Sequence, residues 1–247
     1  MVKIEKRILS PTAINTYLSC PHKFYLRYLK KLRTKPSIHL LRGLIVHKTI
    51  HEFNKNQPRV FHKLPPKMVS YELISKFNTE WEKAEDRLNA LGLTQEQINF
   101  YYDDSKQMIL NFSQWFCKRD TIPADSSEVR LFSKNLGLMG IVDAVHKDGE
   151  KVTLVDYKTS KYANITDDIF RQAAIYALLY HDKYNTIPDS VSIHFLKNAG
   201  DPQPIHIDNE TLEYGKILID SIREKTTSKS EKSYPCTCGG YCERDFI

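Results

Sequence analysis

Two carboxylates and one ammonium stand out by type and spacing. Asp143 closes the stretch Gly140-Ile141-Val142-Asp143, and Asp156 and Lys158 fall in Val155-Asp156-Tyr157-Lys158. On a strand, Lys158 lies two positions past Asp156 and projects from the same face. Carboxylates that share a divalent cation beside a lysine suit phosphodiester hydrolysis. The cation polarises the phosphate and its water, and the ammonium steadies the incoming hydroxide. A surface ion pair between Asp156 and Lys158 would look the same in the sequence, and an isolated Asp-x-Lys is more often that. The rest of the chain has to decide.

The elements around these residues have local signals. Leu138 to His146 alternates and is rich in Val, Ile and Met. Lys147-Asp148-Gly149-Glu150 carries an Asp-Gly turn, and Val152 to Tyr157 returns as a second strand. Val152, Leu154 and Asp156 share one face of it; Thr153, Val155 and Tyr157 share the other. Pairing these strands brings Asp143 and Asp156 to one end of a sheet. Glu128 to Phe132 is expected to begin the meander, and Val191 to Leu196 and a weaker Pro204 to Ile207 extend the sheet. Thr166-Asp167-Asp168 opens a helix to about Tyr184, with acids in its first turn. Ile169, Ala173, Tyr176 and Ala177 mark its apolar face, and Gln172, a turn before Tyr176, has the spacing of a surface residue beside core. Leu212 to Ile222 is an amphipathic helix.

The first half of the chain is helical. Ser10-Pro11-Thr12 starts one helix, and Pro21 opens a second that runs to about Leu32. In the second, Phe24, Tyr25, Tyr28 and Leu29 alternate with Lys23, Arg27, Lys30 and further basic residues. Such interleaving suits phosphate contacts and base stacking, and equally suits an amphipathic helix with a solvated basic side. Leu40 to Phe53 is a further helix with His47 and His51 one turn apart; a helical histidine is more often surface or core than a ligand. Pro66 to Lys118 is helical and aromatic, with Ile74, Phe77, Trp81, Ala84 and Leu88 as a stripe. Gly92 interrupts it, and Thr94-x-x-Gln97 restarts it as a capping box. This region is expected to form core, or a cap over a cleft, with Cys117 in its packing. Ile122-Pro123 ends the helical half.

A chain of 247 residues with 41% hydrophobic content can bury a full core, and its net charge of +6 permits a polyanionic partner. One domain is expected over 1–247: a mostly helical part and cap at 1–123, an α/β core at 124–225, and a linker with a cysteine tail at 226–247. Residues 1–9 lack a secretion signal and no apolar run spans a bilayer. A soluble cytoplasmic protein with no membrane partner is therefore expected. Of five cysteines, Cys236, Cys238 and Cys242 crowd the tail. Intracellular thiols clustered among glycines are more often ligands than packing, and Cys20 could supply a fourth.

The ordered set Leu9-Ser10-Pro11-Thr12, Cys20-Pro21, His47, Gly140-x-x-Asp143, Asp156-Tyr157-Lys158-Thr159, Gln172-x-x-x-Tyr176 and the terminal cysteines resembles the RecB-like branch of the PD-(D/E)XK nuclease superfamily. It looks closest to stand-alone exonucleases of CRISPR spacer acquisition, which act in antiviral defense, and is similar to AddB-type nuclease domains. The resemblance implies an α/β fold: a restriction-endonuclease-like mixed sheet flanked by helices, with a helical cap and a C-terminal cysteine cluster. It implies a metal-dependent DNA nuclease, an exonuclease on single strands or DNA ends. His47, Asp143, Asp156 and the Tyr157 carbonyl would hold Mg²⁺ or Mn²⁺, Lys158 would be catalytic, and Gln172 and Tyr176 would position the lysine or the DNA. Lys23, Arg27 and Lys30 are the candidate DNA track. Cys20, Cys236, Cys238 and Cys242 match iron–sulfur ligands, implying a [4Fe–4S] cluster with tetrahedral Zn²⁺ as the alternative. The tail departs from the usual Cys-x-x-Cys with a longer final gap, reading Cys236-x-Cys238-x-x-x-Cys242. Implied partners are DNA, as single strands or duplex ends, with CRISPR integration proteins or a repair helicase. The competing expectations are a DNA-binding or end-processing subunit without its own cutting, and an electron carrier, which leaves the carboxylates unexplained.

Overall fold

Five strands form one mixed sheet in the order β1-β2-β3-β4-β5. The computed structural model describes residues 7–55, 64–118 and 124–246, so Ile122-Pro123 lies outside the described residues. β1 (Ser126–Ser133), β2 (Leu138–Asp148) and β3 (Lys151–Lys158) make an antiparallel meander. β4 (Ser190–Phe195) lies parallel to β3, and β5 (Gln203–His206) pairs antiparallel with β4. A parallel neighbour needs a crossover, and α7 (Asp167–Tyr184) supplies it. The expected Asp-Gly hairpin joins β2 to β3, with Gly149 at φ +60°, where a side chain is disfavoured.

α1 (Pro11–Ser19) is capped by Ser10, whose hydroxyl accepts the Ala13 N–H at 3.1 Å. α2 (Pro21–Phe24) continues as a π-turn over Tyr25–Leu29. The basic segment therefore stops at Leu29, short of the expected Leu32, because Lys31 adopts φ +57° and breaks the right-handed run. α3 (Ile38–Lys55), α4 (Pro66–Glu82), α5 (Glu85–Asn89) and α6 (Gln95–Lys118) follow. Thr94 and Gln97 form the capping box reciprocally, at 3.0 and 3.3 Å. The buried stripe of α4 is Val69, Leu73, Phe77 and Trp81, with Ile74 at its margin. α8 (Asn209–Lys225) is capped by Asp208.

Two cores sit on opposite faces of the sheet. α1, α7 and α8 pack on one through Ile14, Ala173, Leu179 and Ile219, against Leu131, Leu138, Val142, Leu154 and Val191. α3, α4 and α6 pack on the other through Val46, Phe53, Phe77 and Phe112, against Ala144, Val155 and Tyr157. β3 divides as expected: Val152 and Leu154 enter one core, Val155 and Tyr157 the other. Every residue of β4 is buried, the pattern of a strand covered on both sides.

One expectation needs correction. The alternation expected along β2 breaks at Asp143: Leu138 and Val142 face the α7 core, Ala144 faces the α3 core, and Val145 faces the α7 core again. β1 breaks at the same level. Val129 packs with the α7 core, whereas Ser127 reaches His51 of α3 at 2.9 Å. Between them Glu128 has φ +49°, and the flanking pairs Ser127↔Ala144 and Val129↔Val142 put it opposite Asp143. A local break of this kind re-aims a side chain beside it. After buried Thr226 at the end of α8, the polar stretch 227–233 lies mostly exposed, with a 3₁₀ turn over Glu231–Ser233. Tyr234 follows at 2% exposure, stacked on Phe24 and Tyr25. That aromatic contact brings the tail back to α2.

Candidate active site and cysteine cluster

The break at Asp143 turns its carboxylate toward α3. Asp143 Oδ1 lies 3.0 Å from His47 Nδ1, and Asp143 Oδ2 accepts the backbone N–H of Tyr157 at 2.8 Å. One carboxylate thus joins helix, β2 and β3. Burial opposes charge on the His47 imidazole, but the charge and hydrogen bond of Asp143, with Asp156 behind them, outweigh it and raise its pKa. The Tyr157 ring packs in the α3 core against Phe112, edge-on to His47, and burial raises its phenol above the ordinary value.

Asp156 is 4% exposed. Burial raises its carboxyl above the usual carboxylate range; Lys158 works against that shift and Asp143 adds to it. Lys158 Nζ stands 2.7 Å from Asp156 Oδ2, forming an ion pair with this buried acid. Lys158 also donates to Gln172 Oε1 at 2.8 Å. Gln172 Nε2 donates to Asp156 Oδ1 at 3.1 Å and to the Tyr176 hydroxyl at 2.8 Å. Both amide protons are used and the carbonyl faces an ammonium, so chemistry permits one amide orientation. Gln172 is therefore the node between acid, lysine and tyrosine, more than the surface residue its spacing suggested. Burial raises the Tyr176 phenol well above its usual value. Gly140 is what lets that ring lie against β2, since a Cβ there would meet Tyr176 Cε1 at 3.0 Å.

These residues line one cleft of about 610 Å³, together with His39, Arg42, Thr159, Ser160 and Lys161. Arg42 went unnoticed in the sequence. Its guanidinium pairs with Asp104 of α6 and donates to the Thr159 carbonyl at 3.3 Å, and Lys197 pairs with the second Asp104 oxygen at 2.8 Å. This network ties the end of β3 to α3 and α6. Its members are separated by 62 and 117 residues, so no local pattern could reveal it. His51 lies outside the cleft set, bonded to Ser127.

The candidate DNA residues stand apart from the carboxylates. Lys23 pairs with Asp245 and Lys30 with Glu231, while Arg27 is exposed, its guanidinium 5.4 Å from the centre of the Tyr28 ring. Lys23 lines a second cleft with Thr12, Asn15, Ser19 and Asp168, which meets the first at Gln172.

The four cysteines converge at the other end of α1. Cys20, Cys236, Cys238 and Cys242 place their sulfurs all within 4.8 Å of one another. Among the described residues His47, Asp143 and Asp156 form no such group; their donors are engaged with each other and with Lys158. Burial opposes ionisation of Cys20, but backbone amides of Thr237 and Lys23 and the neighbouring thiols bring it down to about 6. Gly240 and Cys238 amides lower Cys236, whereas burial raises Cys242. Thr237 bonds the Ser19 carbonyl at 3.1 Å, fastening the tail beside Cys20. Cys117 is separate and packs against the cap core.

The sequence profile of the PD-(D/E)XK nuclease superfamily matches residues 8–244. Comparison with curated proteins gave no match. The crystal structure of the "Putative exonuclease" from Eubacterium rectale superposes with a TM-score of 0.59 at 12% identity, over 99% of this chain and 90% of that one. At that identity the likeness speaks for the fold alone: a mixed sheet flanked by helices, as seen here. Among the described residues no helix is long and apolar enough to cross a membrane.

Proposed function

That the chain belongs to the PD-(D/E)XK nuclease superfamily is the premise from which we propose its activity: metal-dependent hydrolysis of DNA, as an exonuclease on single strands or duplex ends. The observation that carries this is Asp156. It is a buried carboxylate that shares one cleft with a second carboxylate, an imidazole and the Lys158 ammonium, and Asp143 adds to burial in raising its pKa. The donor set fits a hard divalent ion such as Mg²⁺ or Mn²⁺, which Asp143, Asp156, His47 and the Tyr157 carbonyl would hold. Such an ion supplies Lewis-acid polarisation of the phosphate and a bound water of lowered pKa.

The chain's own groups do the rest. Gln172 and Asp156 together hold the Lys158 ammonium at the cleft floor, where it orients the attacking water and stabilises charge on the phosphoryl oxygens. Asp143 keeps His47 and the Tyr157 backbone in place. The cleft containing Lys23 continues the first one, and the exposed ion pairs of Lys23 and Lys30 are weak enough for phosphates to displace. A strand could follow that path past Gln172. The ordered motifs favour the RecB-like branch, with CRISPR integration proteins or a repair helicase as partners. The intact His47, Asp143, Asp156 and Lys158 set weighs against an end-binding subunit that does not cut.

The test uses Asp156→Asn and Lys158→Ala with Mg²⁺ or Mn²⁺ on end-labelled single-stranded DNA, duplex DNA and RNA. Cleavage should be lost in both while DNA binding, read by fluorescence anisotropy, remains. Product ladders from the labelled end identify exonuclease action. Cleavage at the parent rate by both variants would remove these residues from the mechanism.

A further inference from the structure

The size of the thiol cluster bears on what it holds. Cys236 Sγ lies 3.6 Å from Cys238 Sγ and 3.7 Å from Cys242 Sγ, and the whole set spans no more than 4.8 Å. Four thiolates around a single Zn²⁺, at about 2.3 Å each, stand about 3.8 Å apart along the edges of a tetrahedron. A four-iron cubane interposes its irons and sulfides between the thiolates and spreads them well beyond that spacing.

The backbone is built for the smaller figure. Cys236 and Cys238 are separated by one residue, and Gly239 and Gly240, at φ +63° and +83°, fold the chain back so that Cys242 returns to them. Few side chains tolerate two successive residues in that conformation. The amides opened by this turn point at sulfur: Gly240 N–H donates to Cys236 Sγ at 3.3 Å and Cys242 N–H to Cys238 Sγ at 3.1 Å. His22 adds a contact from the protein side. Its Nδ1 is 3.5 Å from Cys242 Sγ, while its Nε2 is held by Glu231 at 3.1 Å. Donors to the sulfurs, themselves anchored, are the outer support expected around a thiolate-bound ion. Cys20 and Cys242 are 1% and 2% exposed, so the pair is walled from solvent.

We infer that Cys20, Cys236, Cys238 and Cys242 hold one tetrahedral Zn²⁺, in place of the [4Fe–4S] cluster that the family resemblance implies. The ion joins the α1–α2 junction to the tail and takes no part at the carboxylates. It is independent of the proposed nuclease activity, and its test reads no cleavage.

The full chain is produced in medium containing both iron and zinc, purified without oxygen, and analysed for metals and acid-labile sulfide. One zinc per chain without sulfide is expected. Exchange with Co²⁺ should give the intense ligand-field bands of a tetrahedral thiolate site, and Cys236→Ser should lose both the zinc and those bands. A Cys117→Ser control should retain them, since Cys117 lies in the other core. Iron and sulfide in equal amounts, with visible absorption bleached by dithionite, would overturn the assignment. So would a metal-free chain with its tail thiols joined as a disulfide.

Discussion

Replacing Gln172 with leucine tests the site at its node. The substitution removes an acceptor from Lys158, a donor to Asp156 and a donor to Tyr176, and replaces neither carboxylate. Lys158 keeps its 2.7 Å contact with Asp156, so its charge stays in the cleft but its direction is lost. A hydrogen bond to a charged group contributes about 1.5–3 kcal/mol, so if the lost orientation acts in the transition state kcat falls about 10- to 150-fold. Tyr176→Phe removes only a neutral bond of about 0.5–1.5 kcal/mol, so its loss should stay near about tenfold or below. The assay is single-turnover cleavage of end-labelled DNA with saturating Mn²⁺, beside a thermal melt that confirms folding. A folded Gln172→Leu chain cutting within about threefold of the parent would refute the positioning role and leave Lys158 oriented by Asp156 alone.

Two further outcomes concern the scaffold. Gly215 of α8 packs so closely on α7 that a Cβ would come within 2.6 Å of Leu178 Cδ1. Gly215→Ala should destabilise by up to about 2 kcal/mol in urea melts, since overpacking of about 1–3 kcal/mol is set against a helix-propensity gain of about 1; a higher midpoint would count against it. Asp208 is held below its ordinary carboxylate pKa by the backbone and hydroxyl of Thr211, at 2.8 and 2.7 Å. Its folded pKa lies below the unfolded one, so its stabilisation is full above the unfolded value and disappears as pH falls through the folded value. Asp208→Ala should therefore melt lower than the parent at pH 7 and converge with it in acid. An unchanged gap across that range would show the cap bond to be irrelevant.

What could be read from the sequence was what neighbours decide. The Asp-Gly turn announced the β2–β3 hairpin, the period of two on β3 separated its faces, and Ser10 and Thr94 marked helix starts. Asp156 and Lys158 needed only one strand to stand side by side. His47 offered no local signal beyond its residue type, and its place beside Asp143 rested on the resemblance; the structure supplies the contact. Gln172 looked like helix surface because its three partners come from β3 and from its own next turn. The Arg42–Asp104–Lys197 network was invisible for a similar reason. The end of the basic helix turned on one backbone angle at Lys31, which no propensity of lysine foretells. Tyr234 was legible only as a member of the cysteine tail; its stacking on Phe24 and Tyr25 joins the two ends of the chain, which no local pattern relates.

The paired change of face at Glu128 and Asp143 sets where this chain can tolerate gained or lost residues. Inserting one amino acid between Gly140 and Asp143 would rotate the acid away from His47 and send Val142 out of its core at once. Lengthening the Asp148–Lys151 turn moves neither, because the ladder on its active-site side is already in place. Among relatives of this fold, length variation should therefore gather at the distal hairpin and stop short of the middle of the second strand.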